Sequence, residues 1–355
     1  MSKSFRKPIV GLTMGDPAGI GPEILLKALT RPGILKAARF VIFGSFSYLE
    51  KQKYRFLSRQ QQQQYRLIQI PYSRNNLILS SFGDANEIPV LDFPLGQSFI
   101  RMGAVNSAHG HLSGQLIKEA TLLALKQRLD AVVTGPINKV SFYQGGWGKL
   151  YQGHTEMMAD LSKAKSVTHM LVKDWFRVVH VTSHIPLKSV SRKIKIKNVI
   201  QTIKLAKCGM DLLGIKNPRI AVSGLNPHAG DEGLFGREEK NIILPAVQYC
   251  RGKGIHVEGP LSPDIIWPRC FGGEYDVGVA MYHDQGQIPF KLLSFLFSAQ
   301  KKVVTVSGAL LTIGLPFLRV SPCHGSAFDI AGKGIASEQS FLDAVQLAIQ
   351  LARTR

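Results

Sequence analysis

No two cysteines of this chain stand close together. Cys208, Cys250, Cys270 and Cys323 are scattered, and without a CxxC pair neither a cysteine-built metal site nor a disulfide framework is expected. A membrane span is missing too. The longest uncharged stretch of interest, residues 303–318, falls short of the roughly 20 residues a span needs and contains Thr, Ser, Gly and Pro. The opening MSKSFRKPIVGLTMG runs into a strand almost at once, leaving no room for the apolar core of a signal peptide. These absences together lead us to expect a cytoplasmic protein in a reducing compartment. Acidic residues are scarce as well: 24 Asp and Glu face 44 Lys and Arg, for a net charge of +20. Such a field attracts anions. The basic residues are dispersed, however, in groups no longer than Arg192 to Lys197 (RKIKIK), and no recognition motif accompanies them. Nucleic acid is therefore not expected as the main partner.

The 355 residues are 45% hydrophobic and 19% charged, the balance of a folded enzyme long enough for two domains. Short apolar runs alternate with amphipathic stretches, which predicts an α/β protein. Strands are predicted at 9–13, 40–43, 131–134, 178–181, 220–223 and 277–281, and helices at 21–29, 116–128, 196–213, 240–253 and 340–353. Residues 50–74 differ in composition. Five consecutive glutamines, Gln60 to Gln64, sit among Arg and Tyr, which predicts a polar helix or an excursion rather than a functional tract.

Four groups of residues could carry chemistry. Gly15-Asp16-Pro17-Ala18-Gly19-Ile20-Gly21-Pro22-Glu23 follows a predicted strand and opens a predicted helix. Glycines there allow a tight turn, and a helix N-terminus offers free N–H groups to an anion. The spacing fits neither a GxGxxG fingerprint nor a P-loop, so a plain strand-to-helix turn is the competing reading. Thr134-Gly135-Pro136-Ile137-Asn138-Lys139 lies at another strand's C-terminal end, where open α/β sheets collect ligands; a turn without a ligand competes here too. Histidines form the third group: His154 in GHTE, His184 in SHIPL, His228 in NPHAGD and His283 in YHDQG. A single histidine is usually structural, but several in strand-end loops point to a divalent metal bound by neutral imidazoles. Asp231 and Asp284 are placed to orient such rings. His109, His111, His169, His180 and His256 lack this context and read as structural. The fourth group is His324-Gly325-Ser326-Ala327-Phe328-Asp329-Ile330-Ala331-Gly332-Lys333-Gly334. Its small residues permit close approach to a flat ligand, and Asp329 could accept bonds from a ribose or adenine.

The last of these segments, HGSAFDIAGKGIAS, resembles the adenosine-binding loop of isocitrate and isopropylmalate dehydrogenases. Taken in order, GDPAGIGPE, TGPINK, GHTE, LNPHAGDEG, GPLSPD, AMYHDQG and GLPFLR resemble the 4-hydroxythreonine-4-phosphate dehydrogenase family of vitamin B6 (pyridoxine) biosynthesis, from Gly11 to Ala336. The resemblance implies an isocitrate/isopropylmalate dehydrogenase-like α/β fold with two α/β domains flanking a cleft. One domain would comprise 1–137 plus 309–355, and the other, 138–308, would carry metal ligands and dimer contacts. It implies a homodimer that completes each site. His184, His228 and His283 would hold Zn²⁺ (Mg²⁺ or Co²⁺ being alternatives), with His283 arriving from the opposite subunit. His154, Thr155, Lys291 and Arg319 would bind a small phosphorylated substrate, with Lys291 also catalytic. Asp264 would lie near the metal, and His324, Gly325, Ser326, Ala327 and Asp329 would receive NAD or NADP. The implied reaction is oxidation of 4-hydroxy-L-threonine 4-phosphate at C3, assisted by a metal-lowered hydroxyl pKa, hydride transfer to the nicotinamide and loss of CO₂ to give 3-amino-2-oxopropyl phosphate.

Two features depart from that family's pattern. Leu310 stands where the family carries an asparagine that contacts substrate, and leucine neither donates nor accepts a hydrogen bond. Residues 293–307 are longer than the family's connection. Both leave room for a different phosphorylated sugar acid, 4-phospho-threonate or 4-phospho-erythronate. A basic binding protein on an inactive scaffold is the remaining alternative.

Overall fold

The structure is a computed structural model that describes residues 6–72, 86–95, 100–296 and 305–354. Contacts divide the chain into two compact units, Met1–Ser166 with Leu315–Arg353, and Val167–Gly314. In chain order the strands are β1 (Ile9–Thr13), β2 (Arg39–Gly44), β3 (Arg66–Pro71), β4 (Glu87–Asp92), β5 (Ala131–Thr134), β6 (Thr168–Lys173), β7 (Phe176–His180), β8 (Ile220–Ser223), β9 (Val257–Leu261) and β10 (Val277–Ala280). The two-residue strands β11 (Phe295–Leu296) and β12 (Thr305–Val306), then β13 (Ala309–Ile313) and β14 (Leu318–Pro322), complete the set.

In the first unit the strands run in the order β3-β4-β2-β1-β5-β14, all parallel. Parallel strands covered by helices on both faces are continuously apolar, and β1, β5 and β14 are buried at every position. The chain turns back between β1 and β5, a topological switch point where such sheets bind ligands. GDPAGIGPE leaves β1 and TGPINK leaves β5 there. In the second unit the order is β13-β6-β7-β10-β8-β9. β6 runs antiparallel to both of its neighbours, β13 and β7, and β7, β10, β8 and β9 are parallel. The loops leaving β7, β8 and β10 carry His184, His228 and His283.

The strands expected at 9–13, 131–134 and 220–223 and the helix at 21–29 match residue for residue. The helix expected at 116–128 is instead Ser107–Leu125. Its first turns are small and polar, so they give no apolar period, yet they bury Gly110, Ser113 and Gly114. Asn106 caps it, its Oδ1 accepting from Ala108 N (2.8 Å) and His109 N (3.2 Å). Helices Lys139–Phe142 and His154–Leu161 pack on this helix. That packing keeps residues 138–166 with the first unit, so the boundary falls after the 137/138 expected from sequence. Around the glutamines the chain forms helix Phe46–Phe56, then the short helix Arg59–Gln62 with a Ser58–Gln61 capping box, then β3. Of the long connection at 293–307, residues 297–304 lie outside the described residues.

Candidate active site

In the first unit the β1 and β5 loops interlock. Gly135 N donates to Thr13 O (2.9 Å), and Asp16 N donates to Pro136 O (3.0 Å). A side chain at Gly135 would place Cβ 2.6 Å from Thr13 O, so this contact requires glycine. The fully buried Asp16 accepts from Ala18 N at 2.9 Å. Burial pushes its carboxyl up to about 6, while bonding to Ala18, Ser141 and Asn138 pulls the other way. A raised folded-state pKa stabilises the fold only while the acid is protonated. That contribution is whole below pH 3.8 and is lost as the pH rises through about 6. The stability of Asp16→Asn relative to wild type should therefore grow between pH 4 and pH 7, by on the order of 3 kcal/mol. Urea unfolding across that range reads it, and a pH-independent difference would refute it.

Arg319 lies on β14 beside β5 and is only 4% exposed. Its Nη2 donates to Thr134 Oγ1 at 2.7 Å. Burial lowers its pKa to about 10, and nearby Glu156 opposes that shift, so the guanidinium keeps its charge at neutral pH. His154 opens helix His154–Leu161, with Nε2 3.2 Å from Gly135 O. Thr155 and Glu156 occupy the same first turn. Arg319, His154, Thr134 and Gly135 thus form one neighbourhood suited to an anionic or hydroxylated ligand.

The 324–334 loop docks on the β1 loop. Ile20 N donates to Ser326 O (3.0 Å), and a Cβ at Gly19 would lie 2.9 Å from Ser326 Cβ. The buried Glu23 and its i+4 partner Lys27 hold the loop's far end. Lys27 Nζ reaches Glu23 Oε1 (2.7 Å), Gly334 O (2.9 Å) and Ala336 O (3.0 Å), and Ala336 N donates to Glu23 Oε1 (2.9 Å). Sequence reasoning missed this pair, although Glu and Lys four apart in a glycine-flanked helix are visible in it. His324 Nδ1 lies 3.0 Å from Gly325 O, Ser326 is buried and Asp329 is exposed. Burial holds the His324 imidazole below its usual range.

In the second unit His184 and His283 stand side by side, with ring centroids 5.4 Å apart. They line a shallow cavity with Thr182, Leu187, Val190 and Tyr282. Two imidazoles on one tetrahedral zinc, each bonded at about 2 Å, bring their ring centres to roughly this separation. His283 Nδ1 lies 2.6 Å from Asp284 Oδ1. With the proton on Nδ1, this contact leaves the Nε2 lone pair for a metal, the arrangement that outer carboxylates impose. The pair therefore fits a divalent ion. His180, read as structural from the sequence, stacks behind His283 at 6.1 Å, and burial pushes its pKa down to about 4. It remains a neutral ring packed against the site.

His228 does not join that pair within one chain. It sits beside Phe235, at 6.5 Å between ring centroids, and near Asp264, whose carboxyl is held below its usual range chiefly by the bond from the Ser262 hydroxyl. Among the described residues, one chain places no group of three or more His, Cys, Asp or Glu residues to hold a metal. Lys291 is exposed on helix His283–Ser294, its Nζ 5.6 Å from the Phe295 ring centre. The helix rise puts it about 12 Å along the axis from His283, so the same chain's Lys291 is not part of the pair either. His184 (φ 49°) and His228 (φ 52°) both adopt left-handed backbone, a conformation that costs a non-glycine residue about 1 kcal/mol or more and collects at functional sites.

The profile of the family described as "PdxA: Pyridoxal phosphate biosynthetic protein PdxA" matches residues 36–348. The chain belongs to the PdxA family. It is 39% identical over 351 residues to the D-threonate 4-phosphate dehydrogenase of Salmonella typhimurium, covering 97% of this chain and 98% of that one. It is 38% identical over 347 residues to the 4-hydroxythreonine-4-phosphate dehydrogenase of a Sulfurihydrogenibium species, covering 98% and 99%. Among solved structures, 4-hydroxythreonine-4-phosphate dehydrogenase from Klebsiella pneumoniae is similar at TM-score 0.81 and 37% identity, with 98% of this chain and 100% of that one covered. These PdxA-family relatives are named dehydrogenases, which places the chain among the oxidoreductases, and the structural similarity bears out the α/β expectation. Among its described residues, no helix is long and apolar enough to cross a membrane.

Proposed function

We propose that this PdxA-family chain oxidises C3 of a four-carbon hydroxy acid 4-phosphate with NAD, the keto acid then losing C1 as CO₂. The observation that carries this reading is the His184–His283 pair, with Asp284 on His283, at the ends of parallel strands. His184, His228 and His283 would hold the divalent metal, with at least one of the three supplied by a second copy of the chain. Zn²⁺ suits three imidazoles. Once bound, the metal supplies Lewis acidity toward the substrate hydroxyl and the enolate charge. The chain's own groups do the rest. Asp284 fixes the His283 tautomer. Arg319, held cationic in its buried position, receives an anionic oxygen of the substrate beside His154 and Thr155, and Lys291 offers a second cation. His324, Gly325, Ser326, Ala327 and Asp329 receive the dinucleotide on the surface that Glu23 and Lys27 brace.

Of the two substrates that the relatives' names carry, we favour D-threonate 4-phosphate. Leu310 on β13 pairs with Leu171 of β6 and brings only methyl groups, whereas the aminated substrate has one more charged hydrogen-bonding group to satisfy. The similarity to named 4-hydroxythreonine-4-phosphate dehydrogenases supports 4-hydroxy-L-threonine 4-phosphate as the second reading. Following NADH formation with each compound separates them. Turnover on D-threonate 4-phosphate at least tenfold above the other is expected; the reverse preference would select the second reading, and no NADH from either would reject both. Lys27→Ala should raise the KM for NAD several-fold with little change in kcat, because it frees the 334–336 end of the nucleotide loop. An unchanged KM for NAD would contradict that role.

A further inference from the structure

We propose that Gln285 is a positioning residue, whose side-chain amide couples the turn bearing His283 to the loop bearing His228. The coupling concerns two loops of one chain; only its consequence for metal binding rests on the function proposed above. β8 and β10 pair as far as Val222 and Val279. Beyond that point their backbones part, and the Gln285 side chain takes over as a further rung. Its Oε1 accepts from Met281 N at 2.6 Å, on the β10 side. Its Nε2 donates to Gly224 O at 2.8 Å, on the β8 side. The residue is buried in the first turn of helix His283–Ser294. A carboxamide offers one donor and one acceptor at this spacing in every protonation state of the site. An ionised glutamate there would keep the shape and set an oxygen against the Gly224 carbonyl.

The loop is held from its other side by Glu239, which is also buried. Its Oε1 accepts from Leu225 N and Asn226 N, both at 2.7 Å, and its Oε2 accepts from Asn226 Nδ2 at 2.9 Å. Gly224, Leu225 and Asn226 are therefore clamped just before Pro227 and His228. The clamp matters because His228, Ala229, Gly230, Asp231 and Glu232 are all left-handed. Such a run costs roughly 1–2 kcal/mol per non-glycine residue and persists only where its surroundings over-determine it. The stretch carrying His228 thus takes its direction from the Gln285 amide and the Glu239 carboxylate, and Gln285 alone also touches the His283 turn.

The test compares metal-free full-length wild type with Gln285→Leu, Gln285→Glu and Glu239→Gln by hydrogen–deuterium exchange, and then measures Zn²⁺ affinity by competition with a chromogenic chelator. Exchange at residues 225–233 should accelerate about tenfold or more in each variant, with helix Ser107–Leu125 and β8 unchanged. Zn²⁺ affinity should fall by about 10–100-fold, the range for losing an outer partner. Glu239→Gln probes the loop from the opposite side should the Gln285 variants fail to fold. Unchanged exchange at 225–233, or equal acceleration throughout Val167–Gly314, would overturn the proposal. Wild type that binds no Zn²⁺ would refute the metal reading instead, and the exchange comparison would still decide the coupling.

Discussion

Replacing His283 by alanine is expected to lower kcat/KM by well over the roughly 10–100-fold that loss of an outer metal partner costs, with the fold intact. The side chain is only half-buried, and its contacts are the His184 ring at 5.4 Å, the His180 ring at 6.1 Å and Asp284 Oδ1 at 2.6 Å. None of these belongs to the large apolar core, so truncation removes little packing. It does remove one imidazole of the pair and leaves Asp284 with nothing to orient. His184→Ala should cost a similar amount. Because the two rings act as a unit, the double variant should be hardly worse than either single one, as with other groups that work together. NADH formation with D-threonate 4-phosphate, alongside thermal unfolding, separates loss of chemistry from loss of fold. Turnover within threefold of wild type in both single variants would contradict a catalytic role for the pair.

Gly110→Ala should unfold or severely destabilise the protein, against the ordinary sign of that substitution. Alanine for glycine inside a helix normally gains about 1 kcal/mol. Gly110, however, lies in helix Ser107–Leu125 where it faces the backbone of Ser141, and a Cβ would fall inside the Ser141 carbonyl group. The obstacle is backbone, so no rotamer change relieves it. The helix would have to lift from the segment bearing Asn138 and Ser141, at roughly 3 kcal/mol or more. That segment also supports Asp16, so whatever remains folded should bind substrate poorly. The urea midpoint decides the matter: it should drop sharply, and a midpoint raised by the expected helix gain would show that the contact yields.

The parallel strands and the strand-end loops were legible in the sequence because buried parallel strands are short, wholly apolar and followed by glycine- or histidine-rich turns. β1, β5 and β8 stand out for that reason. β13 and β6 did not, since their pairing depends on partners distant in the chain: Thr312 opposite His169 and Leu310 opposite Leu171. The start of helix Ser107–Leu125 was hidden because a small-residue face carries no hydrophobic period. Within the candidate site, motif order pointed to His184, His228 and His283, but not to how one chain arranges them. The adjacency of His184 and His283 follows from β7 lying beside β10, with His180 in register with Ala280. The buried supports Gln285, Glu239 and Glu23, and the partly exposed Lys27, looked like ordinary polar helix residues. Their roles rest on bonds to backbone groups far away in sequence, which composition and spacing do not encode.

The most direct test of this account is the metal content of the purified protein, measured by elemental analysis after mild dialysis, in wild type and in His184→Ala, His228→Ala and His283→Ala. One divalent ion per chain in wild type, and little in each of the three variants, is the predicted result. Three variants that keep a full complement of metal would contradict the claim that these imidazoles share one ion.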